Sequence, residues 1–143
     1  MSEKGLEFLA QVEGEKLVAY KDTGGVWTIG VGHISDQHLT VTSGMKISRE
    51  VSRFLLSLDV AEAEEIVTRL VTVPLSQNQF DALVSFVFNI GEGQFKSSTL
   101  LKKLNEEDYG AVPAQLKRWV YDNGKLIAGL VKRREGEANL FTQ

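Results

Sequence analysis

The change of hydrophobic period after residue 33 constrains this chain more than any other feature. Val18 to Asp22 and Val26 to Val31 are rich in Val, Ile, Thr, Tyr and Trp, with Thr23-Gly24-Gly25 between them. Short β-branched and aromatic runs split by a glycine turn predict two strands of a hairpin. From Ser48 onward the apolar residues recur at three-and-four spacing instead, which is the helical period. Sheet is therefore confined to a small N-terminal part, and the expected class is α+β. His38 to Val41 is the candidate for a third short strand.

Helix boundaries follow from capping chemistry. Ser2 can cap a first helix over about 2–12, and Gly14 ends it. Ser48 with Glu50 in the first turn predicts a second helix, which Val51, Phe54, Leu55, Leu58, Ala61, Ile66 and Leu70 carry unbroken to about Val71, before Pro74. Ser76 with Gln79 three residues on is a capping box opening a helix that Gly91 stops after Ile90. Ser97 or Ser98 starts a short helix, and Pro113 opens the next, running toward Trp119. Asp122-Asn123-Gly124 is a turn, and a last helix covers about Gly129 to Phe141. The expected organisation is one domain with an N-terminal α+β lobe at 13–47, a connecting helix at 48–71, and a helical lobe at 74–143 on which the helix 2–12 packs.

Several function classes drop out on composition. The 143 residues include no Cys, which excludes disulfides, thiolate metal sites and a cysteine nucleophile. Net charge is −3, against the basic face of a nucleic-acid binder. The charge is uneven: residues 1–72 carry 7 Lys/Arg against 11 Asp/Glu, and residues 73–143 carry 9 against 8. Lys132-Arg133-Arg134, the densest positive group, reads as a solvated helix face. The N-terminus has no basic region followed by an apolar run, so no signal peptide is expected. No window reaches the roughly 18 apolar residues of a membrane span.

Chemistry concentrates between Glu13 and His33. Two carboxylates facing across a groove, one protonated and one ionised, are what glycoside hydrolysis needs, and environment can assign the roles. Glu13, at the end of the first helix, and Asp22, at the hairpin, are the candidates, with the Thr28 hydroxyl able to fix an attacking water. With a three-residue loop Thr23–Gly25, Asp22 stands opposite Val26 and Tyr20 opposite Thr28. Asp22 and Thr28 then share a face as diagonal neighbours, with backbones roughly 7–8 Å apart. A two-residue Gly24-Gly25 turn would put them on opposite faces, since a one-residue slip inverts the pleat.

Gly30-Val31-Gly32 is not a phosphate loop, because no Gly-Lys-Ser/Thr follows it. Its glycines suit close backbone packing or a flat floor for a bulky ligand. His33 and His38 flank Asp36, but two histidines and one acid in a single loop make a poor metal set, and no cofactor is expected. Phe88, Phe95 and Trp119 could line a sugar groove or fill a core.

The chain resembles the phage-type lysozymes, the glycoside hydrolase family 24 endolysins, and is most similar to their lambdoid-phage branch. The resemblance rests on Glu13-Gly14, then Leu17-x-Ala19-Tyr20-x-Asp22, then Gly25-Val26-x-Thr28-Ile29-Gly30-x-Gly32-His33. It continues through Pro74 to Leu83, Phe86 to Gly91, Ser97 to Leu101, Arg118-Trp119, and Gly129 to Arg134 with Glu137 and Leu140-Phe141. It implies a lysozyme-like fold and hydrolysis of the β-1,4 bond between N-acetylmuramic acid and N-acetylglucosamine in peptidoglycan.

The same resemblance implies Glu13 as general acid, with Asp22 and Thr28 positioning the water, and inversion at the anomeric carbon. For that outcome the carboxyl groups should stand on the order of 6.5–9.5 Å apart. It also implies that Ile34, Phe88, Asn89 and Ser98 face the saccharide, and that His33 pairs with Asp59 structurally. The stretch from Ile34 to Ile47 is shorter than in members with an extra helix there. The implied partners are peptidoglycan strands and a holin, which would open the membrane to an enzyme held in the host cytoplasm until release to the periplasm; nothing in the sequence marks an oligomer, and monomer is the default expectation. Two rivals remain: a lytic transglycosylase, which typically lacks the second carboxylate, and a non-catalytic peptidoglycan-binding protein.

Overall fold

The first helix, α1 (Glu3–Glu13), leads into a three-stranded sheet of β1 (Lys16–Lys21), β2 (Trp27–Gly30) and β3 (His33–Ile34) in a computed structural model that describes all 143 residues. The strands are antiparallel in the order β1-β2-β3. The third strand is therefore not at His38 to Val41. Asp36 Oδ1 instead accepts from His38 N and Leu39 N, and this polar turn displaces strand pairing there. On the outer side of β1, Ala19 N donates to Met45 O and Ile47 N to Leu17 O, so residues 45–47 cover that edge.

The helix expected over 48–71 is two helices, α2 (Arg49–Asp59) and α3 (Ala61–Leu70). Val60 between them ends α2, its N–H reaching Leu56 O and Leu58 O. Neither Pro nor Gly marks this break, so the sequence carried no local signal for it. Ser48 Oγ accepts from Val51 N and caps α2.

The rest is α4 (Gln77–Ile90), α5 (Glu92–Lys96), α6 (Thr99–Asn105), a 3-10 turn at Tyr109–Ala111, α7 (Val112–Leu116), a small ribbon of β4 (Tyr121–Asp122) and β5 (Lys125–Leu126), and α8 (Ala128–Thr142). Ser76 and Gln79 form the expected reciprocal capping box, and Gly91 stops α4. The Asn123-Gly124 turn carries a short hairpin that was read only as a turn. The Pro113 helix ends at Leu116, short of Trp119.

The chain falls into two compact units, one of residues 1–5 and 62–143, the other of 6–61. In the first, α4 packs on α8 around Leu83, Val84, Phe86 and Val87, all buried, with Phe95 and Trp119 edge-on to Phe86 at 6.3 and 5.7 Å. Asp81, fully buried on α4, accepts from Ser2 N, Ser2 Oγ and Gln77 Nε2 and so holds the N-terminus. In the second, α2 packs on β2 with Ile29, Leu55 and Leu56 buried. Gly30 is required at that contact, since a Cβ there would lie 3.0 Å from Ser52 Oγ and the backbone has φ +67.

Candidate active site

Hairpin register decides whether Asp22 and Thr28 share a face. Tyr20 pairs with Thr28 and Lys21 with Trp27, and Asp22 N donates to Val26 O at 2.9 Å. The loop is thus the three-residue one, Thr23 to Gly25, with Gly25 at φ +80 closing it. Asp22 and Thr28 stand diagonally on one face, as catalysis would need.

Both side chains are held by the hairpin's own backbone. Asp22 Oδ1 accepts from Gly24 N at 2.8 Å and Val26 N at 2.9 Å. Thr28, only 4% exposed, donates its hydroxyl proton to Val26 O at 2.9 Å. With that proton committed, Thr28 Oγ1 offers an incoming water lone pairs only.

Glu13 is the last residue of α1 and is exposed; Gly14 N donates to Ala10 O behind it. On either side of Glu13 in the sequence stand two carboxylates that sequence reasoning did not single out, Glu7 and Glu15. Arg53 on α2 binds both: Nη1 donates to Glu7 Oε2 at 2.5 Å, Nε to Glu15 Oε2 at 2.9 Å, and Nη2 to Glu15 Oε1 at 3.2 Å. Ser52 Oγ adds a bond to Glu15 Oε2 at 2.7 Å, and Arg49 Nε lies 3.7 Å from Glu15 Oε1. Hydrogen bonds from Arg53 hold the carboxyls of Glu7 and Glu15 below their ordinary range, and the same bonds raise Arg53. The cluster spans 46 and 38 residues of sequence, which is why spacing could not reveal it.

His33 is 3% exposed, with Nδ1 2.8 Å from Asp59 Oδ2 and Nε2 3.3 Å from Asp36 Oδ2. Only Nδ1 makes a hydrogen bond, to Asp59 on α2, which ties the ring to that helix, while Nε2 is buried without a hydrogen-bond partner. His38 takes no part; its Nε2 lies 3.4 Å from Gln37 Nε2.

The four residues expected to face sugar lie on different elements. Ile34 is half exposed on β3, opposite Thr28. Phe88 is half-buried on α4, and the exposed Asn89 beside it accepts from Arg134 through Oδ1. Ser98 is 7% exposed, donates to Phe95 O at 2.7 Å and accepts from Leu101 N at 3.1 Å, so it caps α6. It nevertheless borders a surface pocket with Thr99, Gln115, Arg118 and Trp119.

One expectation is overturned outright. Lys132 is exposed, but Arg133 and Arg134 are 6% and 1% exposed and belong to the core of α8. Arg134 Nη1 and Arg133 Nε bind the fully buried Glu137, which also accepts from Ser85 Oγ at 2.6 Å. Arg133 Nη2 donates to Ser85 O at 2.9 Å, Arg134 Nε to Trp119 O at 3.0 Å, and the Arg134 guanidinium lies 4.9 Å from the Phe86 ring centre. Partners on α4, about fifty residues earlier, decide what a local reading takes for a solvated face.

The chain matches known proteins in sequence and in fold. Residues 10–137 match the phage lysozyme family model. The chain is 43% identical over 142 residues to the endolysin of Salmonella phage P22, covering 99% of this chain and 97% of that protein. It is 41% identical over 145 residues to an endolysin of Acyrthosiphon pisum secondary endosymbiont phage 1, with the same coverage. A crystal structure of a P22 lysozyme variant superposes with a TM-score of 0.94 at 40% identity, covering 100% of this chain and 98% of that one. A match of this length, in sequence and in fold, leaves one conclusion: the chain belongs to the phage lysozyme family.

Proposed function

We propose that this protein, a peptidoglycan-hydrolysing endolysin, cleaves the β-1,4 bond between N-acetylmuramic acid and N-acetylglucosamine with Glu13 as general acid and Asp22 with Thr28 as the water-holding pair. Glu13 protonates the leaving glycosidic oxygen. A water donates one hydrogen bond to Thr28 Oγ1 and the other proton to the Asp22 carboxylate as its oxygen attacks the anomeric carbon. The glycosidic C–O bond breaks, a new C–O bond to water forms with inversion, and the water's second proton ends on Asp22.

The observation carrying this reading is the hairpin register, which sets Asp22 and Thr28 on one face. Thr28's proton is already given to Val26 O, so its oxygen is available as an acceptor aligned by the strand. Ile34 and Phe88 are proposed as apolar sugar contacts and Asn89 as a polar one through its amide nitrogen, while Ser98 would contribute from the rim of its pocket.

Turbidity clearing of chloroform-permeabilised Gram-negative cells tests the assignment. Glu13→Gln should lose on the order of 10²–10⁴-fold in rate, and equal clearing by both proteins would refute Glu13 as the acid. Reducing-end products with an α-anomeric hydroxyl in fresh digests support inversion; anhydromuramic ends would instead establish a transglycosylase. We further propose that access to the wall depends on a holin, as for the holin-dependent endolysins that the chain resembles. Expression alone should then leave growing cells intact until chloroform is added.

A further inference from the structure

Arg53 stands apart from the groups that the proposed chemistry uses, yet Nε, Nη1 and Nη2 of its guanidinium are all engaged near them. Its guanidinium ties together Glu7 on α1 and Glu15 at the mouth of β1, so the two anchored residues bracket Glu13 in the chain. Between the anchors lies the helix end at Gly14. A helix terminus has no following turn to fix its last side chains, so it frays unless it is tied down. Here Glu7, nearly two turns before Glu13 on α1, and Glu15, two places after it, are fixed to one point on α2.

The same point reaches the other half of the site. Ser52, beside Arg53 on α2 and fully buried, donates to Glu15 and abuts Gly30 at the end of β2. Strand β2 carries Thr28. One turn of α2 therefore grips the segment that bears Glu13 and lies against the end of the strand that bears Thr28. Arg53 is 20% exposed and Glu15 14%, so the bidentate contact keeps its fork geometry with water at its edge.

We propose that Arg53, with Glu15 and Ser52, is a positioning device that sets the Glu13 carboxyl against the water site at Thr28. It touches no reacting atom and acts only through the backbone on either side of Glu13. A reacting group displaced by about 1 Å can lose on the order of a hundredfold in rate, which sets the expected scale. The inference rests on the assignment of Glu13 as acid.

The experiment is steady-state kinetics of the full chain on soluble, uncross-linked peptidoglycan strands, with thermal melting of every variant in the same buffer. Arg53→Met and Glu15→Gln should lower kcat by roughly ten- to a hundredfold, with KM within about twofold, at temperatures where melting shows the protein fully folded. Arg53→Lys, which keeps the charge but not the fork, should fall between Arg53→Met and the parent. Unchanged kcat in folded Arg53→Met or Glu15→Gln overturns the proposal, because a merely structural clamp would move the melting midpoint alone. If Arg53→Met does not fold, Ser52→Ala and Glu15→Gln decide by the same criterion. Glu13→Gln runs alongside: if it keeps activity, the acid assignment fails, whereas an inactive Glu13→Gln beside a fully active Arg53→Met refutes only the positioning role.

Discussion

The molecule contains two arginine–glutamate clusters, one in each compact unit, built from the same chemistry in opposite environments. Around Glu137 the charges are almost entirely removed from water: Glu137 is fully buried, Arg134 1% exposed and Arg133 6%. Around Arg53 water reaches in, with Arg53 20%, Glu15 14% and Glu7 43% exposed. A buried ionic group is costly to desolvate, and removing one partner strands the other, at about 3–5 kcal/mol. A hydrated pair is worth far less, typically below about 1 kcal/mol. The α8 cluster is thus a condition for folding its unit, whereas the Arg53 cluster adds little to stability and matters for where it holds α1 and β1.

That contrast can be broken by measurement. Glu137→Gln leaves two buried guanidinium groups without their shared anion and should lower stability by about 3–5 kcal/mol, a melting midpoint drop of roughly 10 °C or more. A loss under about 1 kcal/mol would place the cluster with hydrated pairs. Asp59→Asn weakens the bond to the buried His33 and should cost about 1–3 kcal/mol in chemical unfolding, with activity per folded molecule retained. An unchanged midpoint would count against the His33–Asp59 ion pair. Ser76→Ala removes half of the capping box on α4 and should cost about 1 kcal/mol by the same assay.

The Arg53 cluster should show its modest contribution through pH. The carboxyls of Glu7 and Glu15 are held below their usual value of 4.5 by Arg53, so the charged form is favoured in the folded protein. Their contribution is complete above about pH 4.5 and disappears as pH falls through the lowered folded values. The gap in melting midpoint between the parent and Arg53→Met should therefore be constant from pH 6 to 8 and close at lower pH. A gap that widened on acidification would contradict the ion pairs as drawn. Smallest of all, Arg69→Met breaks only exposed contacts to Glu65 and Glu92 and should melt indistinguishably from the parent.

What the sequence made legible was local. The hairpin loop, the Ser48 cap, the Ser76–Gln79 box and the Gly91 stop are each written in a few adjacent residues, and each is found. The β-to-helix change of period gave the fold class. Features that depend on distant partners stayed hidden. Arg133 and Arg134 with Glu137 look like an ordinary surface pair until Ser85 on α4 closes over them. The break at Val60 has no residue signature, and the third strand forms at His33–Ile34 because Ile29 and Thr28 offer pairing partners there. In the candidate site, the spacing of Glu13, Asp22 and Thr28 carries little by itself and takes its weight from the family resemblance, while Glu15 and Arg53 gain meaning only once α2 is folded onto β2.

The Asp22 carboxylate closes the turn that defines its own register, since the atom that bonds Gly24 N and Val26 N belongs to the side chain proposed to receive the water's proton. Assembly and chemistry thus share a single residue. On the proposed mechanism, a hairpin that slipped by one residue would turn Thr28 away from Asp22 and leave the protein compact but inert. Lytic activity would then report on strand pairing: any population that clears cells would already have passed a proofreading step carried out by its own turn.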